Sequence, residues 1–260
     1  MRILIISIFF LALAASTSAQ TNARIETELV TAIKDVEKYS TYGPTGDAEK
    51  LSRANRVFKE KLLKYTKIPS TLTYGFNKLN GHMMNAISED GKFRIYSWDT
   101  QDGGTMHYHY SVYRYRGTNG KVYSKGDKFS EERDPSSFVT QIFTMDTTRG
   151  KIYIVCSTAI AQTNDHVQFA NLYKIAGDAL IDEVNLIKTK SGLTNSLSFE
   201  YNFFSVVDHK ERPIKLIFFD KKTKTLKIPV VVEDEKFPNG KVTDRYIRYR
   251  FNGKYFVKVS

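Results

Sequence analysis

The stretch DGKFRIYSWDTQDGGTMHYHY, residues 90–110, has the pattern of two β-strands joined by a polar loop. Aromatic and aliphatic side chains alternate with polar ones on both sides of DTQDGGT, and alternate residues of a strand point to opposite faces. The stretch therefore predicts a β-hairpin. Its loop carries Asp99 and Asp102, and His107 and His109 follow on one face of the second strand.

The same organisation continues from Thr71 to the C-terminus, where short apolar runs are separated by glycine-containing turns. The Gly-Lys turns begin at Gly91, Gly120, Gly150, Gly240 and Gly253. Four of them are preceded by Asp or Asn, which gives the dipeptides that tight hairpins prefer. We therefore expect residues 71–260 to form one antiparallel meander of hairpins. A propeller-like arrangement and a sandwich or barrel both fit this pattern.

Two helices are expected before this β region, within residues 20–70. Apolar residues at three- and four-residue steps, the helical period, mark the first one, and Gly43 and Pro44 interrupt it. A second helix is expected to start near Asp47 and to end before Pro69. Each helix has one apolar stripe, so both should pack one face against the β region.

Residues 1–19 have the pattern of a secretory signal peptide. Arg2 precedes a short apolar run, and small residues lead up to Ala19. The run is shorter than the ~20 residues that a membrane-spanning helix needs. We therefore expect cleavage after Ala19, a periplasmic or extracellular location, and no transmembrane segment in the mature chain.

The chain is basic, with a formal net charge of +11. Its field would attract an anionic polysaccharide or a negatively charged envelope surface. Export disfavours nucleic acid as the partner. The oligomeric state does not follow from the sequence.

The histidine pair His107 and His109 would lie on one face of a strand, which is a spacing that can serve a metal. No glutamate follows at the place where cupin-like sites have one, and the other histidines are isolated in sequence. We therefore expect neither a metal nor another cofactor. Asp99 and Asp102 resemble part of a calcium loop, but the closing glutamate is missing, so we expect their side chains to cap backbone amides. Cys156 lies in an apolar run, and we expect it to be a buried thiol.

Trp98, the only tryptophan, stands beside this polar loop. Aromatic rings stack on flat ligands such as sugars, and neighbouring polar groups orient them. We therefore take Trp98, Asp99, Asp102, His107 and His109 as candidate ligand-binding residues. No known catalytic motif is visible, so a non-catalytic binding or envelope-associated protein is favoured over an enzyme. The alternative is a hydrolase that acts on an extracellular polymer.

The segment ISEDGKFRIYSWDTQDGGTMH and the closing IRYRFNGKYFVKV resemble secreted proteins of Gram-negative bacteria. In those proteins a DGKFRIYSWDT-type segment introduces a tyrosine-rich hairpin. The resemblance covers residues 86–116 and, in outline, the last hairpin. It implies an extracytoplasmic β protein, and it carries no activity and no catalytic residues.

Overall fold

The structure is a computed structural model that describes residues 21–44, 46–127 and 136–259. The expected signal peptide, residues 1–19, lies outside the described residues. Within them the protein is mainly β, with helices before the first strand, as the sequence predicts.

The two expected helices are present. The first, α1, covers residues 21–38, and the second, α2, covers Ala48–Tyr65. Asp47 is the N-cap of α2, because its side chain accepts a hydrogen bond from the backbone N–H of Lys50 at 3.0 Å. Short 3-10 turns follow at Pro69–Thr71 and Asn77–Leu79.

The strands form three sheets. The first contains β1 (Met84–Ile87), β2 (Phe93–Asp99), β3 (His109–Arg116) and β4 (Val122–Gly126), in that order. The second contains β5 (Phe138–Thr147), β6 (Gly150–Ile160), β7 (Asp165–Ala176), β8 (Ala179–Ile181) and β11 (Ser196–Asn202). Its strand order is β11-β7-β6-β5, and β8 pairs with β7.

The third sheet contains β9 (Ile187–Lys188), β10 (Leu193–Thr194), β12 (Phe218–Asp220), β13 (Thr225–Val232), β14 (Lys241–Phe251) and β15 (Phe256–Val259). Its order is β10-β9-β15-β14-β13-β12. The pairing of β15 with β9 is parallel, whereas the other strand pairs in the described residues are antiparallel. A third 3-10 turn, Phe203–Val206, follows β11.

Three apolar clusters define the order of the layers. Helices α1 and α2 pack on one face of the four-stranded sheet around Tyr96, Trp98 and Val112. The other face of that sheet packs against the five-stranded sheet through residues such as Phe93 and Val155. The far face of the five-stranded sheet packs against the six-stranded sheet. The order is therefore helices, four-stranded sheet, five-stranded sheet and six-stranded sheet.

Strand β6 lies in the middle of this stack and is apolar on both faces. Cys156 is buried there, and burial raises the pKa of its thiol to about 12. By contrast, the apolar run Ile214–Phe219 leads into β12, an edge strand, and Phe218 is 44% exposed.

The glycines of the expected turns take the backbone conformation that tight turns need. Their φ angles are positive, which L side chains rarely adopt. The turn glycines with positive φ include Gly91, Gly120, Gly150, Gly177, Gly240 and Gly253.

Candidate functional site

The β2–β3 hairpin is formed as expected, and its last strand pair is Asp99 with His109. The loop between them is closed by Thr100, whose backbone N–H and side chain both donate to the carbonyl oxygen of Tyr108, at 2.8 and 3.0 Å. Gly103 lies close to the backbone on the other side of the loop, since an added Cβ there would lie 2.4 Å from the Met106 carbonyl oxygen. The glycine therefore serves the packing of the loop.

Trp98 lies in the core between the helices and the four-stranded sheet. Its side chain is 1% exposed, and the ring meets the edge of Phe58 at a centroid distance of 4.9 Å. The indole Nε1–H donates to Asn55 Oδ1 at 2.9 Å. Both the ring and its polar atom have partners inside the protein, so Trp98 does not present a stacking surface to solvent.

Asp99 is the centre of a hydrogen-bond cluster at the mouth of the hairpin. Its carboxylate accepts from the Tyr42 hydroxyl at 3.0 Å and from the Gln101 backbone N–H at 2.7 Å. His107 Nδ1 lies 2.6 Å from Asp99 Oδ2. The expected capping of a backbone amide by Asp99 is therefore present.

The short contact between Asp99 and His107 favours a proton on Nδ1. In the neutral imidazole this leaves the lone pair of His107 on Nε2, which is the arrangement of a base oriented by a carboxylate. The His107 side chain is 32% exposed. Asp99 thus fixes the orientation of the His107 ring at the surface.

Tyr42 joins this cluster from the loop between α1 and α2. Besides its bond to Asp99, its hydroxyl lies 3.0 Å from the Asp102 carbonyl oxygen and 3.2 Å from His107 Nδ1. Burial, together with the charge of Asp99, raises the pKa of Tyr42, so the hydroxyl stays protonated. The sequence does not reveal this partner, because Tyr42 is 57 residues from Asp99.

His109, a candidate ligand-binding residue, is buried. Its backbone N–H donates to Ser136 Oγ at 2.6 Å, and its ring lies 4.8 Å from that of Phe138. Burial lowers the pKa of His109 to about 4, so it is neutral at physiological pH. The rings of His107 and His109 are 6.4 Å apart.

A third histidine lies near this pair. The backbone of His107 forms an isolated antiparallel β-bridge with Ile160 at the end of β6, and Ile160 is paired with His166 on β7. Burial also lowers the pKa of His166 to about 4, and its ring packs on Phe203 at 4.7 Å. Across residues 21–44, 46–127 and 136–259, no group of three His, Cys, Asp or Glu side chains is placed to hold a metal ion.

The structure thus brings Asp99, Asp102 and His107 together around Tyr42, and it places Trp98 and His109 in the interior. The surface part of the hairpin carries two carboxylates. Such a surface repels a polyanion, so an anionic partner fits this region poorly.

A second candidate surface is the outer face of the six-stranded sheet, which points away from the other layers. On β14, Tyr249 and Phe251 pack inward, so Tyr246, Arg248 and Arg250 point outward. Neighbouring strands add further side chains to that face. We call the following set the outer face: Lys188, Leu193, Phe218, Asp220, Lys227, Tyr246, Arg248, Arg250 and Val257. Asp220 is its one acid, and it lies near Lys227.

The cations of the outer face form a compact group. Lys227 is directly opposite Arg248, and Lys188 is aligned with Arg250 across the intervening Val257. Directly opposite residues have Cβ atoms ~5 Å apart, and alternate residues of one strand are ~6.8 Å apart. Phe218 and Tyr246 flank the group, with ring centroids 5.9 Å apart.

The two arginines of this face have no acidic partner. Within the described ranges no carboxylate lies within 4.0 Å of the guanidinium of Arg248 or Arg250. Arg250 Nε donates only a long hydrogen bond, 3.4 Å, to Thr225 Oγ1. Their guanidinium groups can therefore bind an external anion.

Comparison with protein-family models, with curated proteins and with solved structures finds no match to this chain. None of the described helices is long and apolar enough to cross a membrane.

Proposed function

We propose that the protein is exported and acts without catalysis, by binding an anionic polysaccharide of the cell envelope on its outer face. The observation that carries this proposal is the cation group of that face, in which Arg248 and Arg250 stand beside Lys227 and no carboxylate among the described residues forms an ion pair with either arginine. The signal-peptide pattern and the net charge of +11 support the same conclusion.

The chemistry of the outer face suits a sugar chain that carries carboxylate or sulfate groups. A guanidinium can bind a carboxylate through two parallel hydrogen bonds, which gives geometric selectivity as well as attraction. The rings of Phe218 and Tyr246 offer apolar surface to the faces of sugar rings. A neutral polysaccharide would satisfy only the second of these features.

One exposed ion pair contributes ~1 kcal/mol or less, so no single contact can hold a ligand. A polymer meets several cations in turn, and each contact after the first forms at a high effective concentration. We therefore expect moderate affinity that falls steeply as salt is added, because exposed charges are screened over ~10 Å at 0.1 M salt.

The test is calorimetric titration of the mature protein with polygalacturonate, and with neutral dextran as the comparison polymer. The variant Arg248→Gln/Arg250→Gln should bind polygalacturonate at least about tenfold more weakly, since both guanidinium contacts are lost. Dextran should show no salt-dependent binding to either protein.

The matched control is Arg53→Gln/Arg56→Gln, which removes two exposed arginines from α2 and the same total charge. It should bind polygalacturonate nearly as well as the unchanged protein. If both double variants lose affinity equally, binding depends on net charge alone and the assignment to the outer face is wrong.

A hydrolase remains the second candidate, because Asp99 orients His107 as a base at the surface. In that case His107→Gln would abolish the release of reducing ends from an extracellular polymer, and Arg248→Gln/Arg250→Gln would not. Absence of any such release from a panel of anionic and neutral polymers would argue against this candidate.

A further inference from the structure

Two arginines are buried between the four-stranded sheet and the helical layer. Arg94 on β2 and Arg114 on β3 are directly opposite each other, and they are 5% and 0% exposed. Opposite residues on one sheet face have Cβ atoms ~5 Å apart. Two like charges are thus held close together inside the protein.

The acceptors that these arginines use are neutral. Arg114 donates through Nε to the Thr66 carbonyl oxygen at 2.5 Å and through Nη2 to that of Ile68 at 3.2 Å. Arg94 donates to the carbonyl oxygens of Tyr74 and Gly75 at 2.7 and 3.1 Å. It also donates to the side-chain oxygen of Asn85 at 2.9 Å.

A carboxylate does not neutralise either arginine. Within the described ranges none lies within 4.0 Å of them, and the buried acid of this region, Glu26, is already engaged. Its two oxygens accept from the Tyr74 hydroxyl at 2.8 Å and from the Lys78 backbone N–H at 2.7 Å. An uncompensated buried charge is strongly destabilising, so a pair of them calls for an anion.

Three buried polar atoms of this region have no hydrogen-bond partner at normal distance and angle, although the Tyr96 hydroxyl and the Arg114 guanidinium are close enough to interact with each other. The three atoms are Arg94 Nε, Arg114 Nη1 and the hydroxyl of Tyr96. The guanidinium carbon of Arg94 lies 4.8 Å from the centroid of the Tyr96 ring. Burial raises the pKa of Tyr96, and the charges of Arg94 and Arg114 act in the opposite direction. The Tyr96 hydroxyl is therefore close enough to both arginines to feel their charge.

The guanidinium of Arg114 is charged at neutral pH. Burial lowers the pKa of Arg114 only to about 10, and the charge of Arg94 contributes to that shift. The corner between β2, β3 and residues 66–76 therefore holds a buried positive charge at neutral pH.

We propose that Arg94, Tyr96 and Arg114 bind a small inorganic anion, chloride, as an internal part of the fold. Chloride accepts hydrogen bonds from N–H and O–H groups in several directions. Unlike an oxyanion, it has no separate oxygen atoms that would be left without a donor in an apolar core. It also neutralises one of the two charges. A larger oxyanion would need more donors than the three that are unused here.

The test compares urea unfolding in sodium chloride and in sodium gluconate at equal ionic strength. Chloride should lower the unfolding equilibrium constant by at least about tenfold relative to gluconate, and the effect should follow mass action with chloride concentration. Crystals grown in sodium bromide should show anomalous scattering between the two guanidinium groups. Equal stability in both salts, or no halide at the arginine pair, would overturn the proposal.

The variant that probes the site with least damage is Tyr96→Phe, which removes one donor and keeps the ring. It should weaken the chloride dependence by several-fold. The matched control is Tyr201→Phe, since Tyr201 is also buried at 1% exposure but its hydroxyl accepts from Gln168 at 3.3 Å. An equal loss of chloride dependence in both variants would contradict a specific site.

Discussion

The β2–β3 hairpin and the outer face of the six-stranded sheet use their polar and aromatic side chains in opposite ways. In the hairpin, Trp98 and Asp99 find their partners inside the protein, in Asn55 and in Tyr42 with His107. On the outer face, Arg248 and Arg250 stand on alternate positions of one strand, and no described carboxylate pairs with them.

This contrast shows that rare residue types do not by themselves mark a binding surface. The hairpin contains the only tryptophan and two of the five histidines of the sequence. Trp98 and His109 are buried there and contribute to the packing of the fold. The outer face contains common residues in a regular alternation, and its arginine side chains remain available. The predictions below test whether the two regions really divide into structure and binding.

The largest effect is expected from Trp98→Ala. Removing a fully buried tryptophan leaves a cavity and leaves Asn55 Oδ1 without its donor, which costs about 3–5 kcal/mol of unfolding free energy. Urea unfolding followed by far-ultraviolet circular dichroism measures it. The folded fraction should bind polygalacturonate as before.

The comparison variant is Tyr246→Ala, which truncates a half-buried aromatic residue of the outer face. It should cost no more than about 1 kcal/mol of stability and should weaken binding. If Trp98→Ala is the variant that loses binding while it stays folded, the roles of the two regions are reversed.

The second prediction concerns pH. The pKa of His109 and that of His166 are lowered by burial from 6.5 to about 4. In this range the unfolded chain takes up protons before the folded protein does. Stability is therefore complete above pH 6.5 and is lost as the pH falls towards 4. We expect a loss on the order of 3 kcal/mol between pH 7 and 4.5.

Urea midpoints measured at several pH values test this, with His109→Gln/His166→Gln as the variant. The variant should be less stable at pH 7 and should show a much weaker pH dependence. His209→Gln, at an exposed position, is the control and should keep the full dependence. A stability that stays constant from pH 7 to 4.5 would show that the two imidazoles are not held neutral by the fold.

The local structure follows largely from the sequence. The alternation around residues 93–99 predicts the hairpin, and the glycine turns predict where the strands end, because both depend on neighbouring residues. Asp47 is likewise recognisable as the start of α2, since a cap acts on the N–H groups that directly follow it.

The stacking of the sheets and the contents of the site depend on contacts between distant residues. Strand β15 pairs in parallel with β9, which lies about 70 residues earlier. Tyr42 reaches Asp99 from a loop whose sequence only predicts a helix break. The alternation of β2 predicts two faces, but both are buried, one under the helices and one under the second sheet. The burial of Trp98 is therefore a consequence of layering.

A smaller effect is expected from Tyr42→Phe, which removes the hydroxyl that ties the α1–α2 loop to the hairpin. The hydroxyl shares its one proton between the Asp99 carboxylate and the Asp102 carbonyl oxygen, and its loss should cost about 1–2 kcal/mol, the low end for a charged acceptor, because Tyr42 is 37% exposed. Urea unfolding measures the loss. Tyr39→Phe, in the residues just before, is the control and should change stability little. An equal cost for both would mean that the Tyr42 hydroxyl does not stabilise the hairpin.

The smallest effect on stability is expected from Arg248→Gln/Arg250→Gln. Exposed side chains without ionic partners contribute little to folding, so the unfolding free energy should change by less than about 0.5 kcal/mol. Removing two neighbouring positive charges should even relieve repulsion with Lys227. Urea unfolding beside the polysaccharide titration separates the two readouts. A variant that loses both stability and binding would show that the arginines hold the sheet together. The outer face would then be a structural region like the hairpin, and its assignment as a binding face would be wrong.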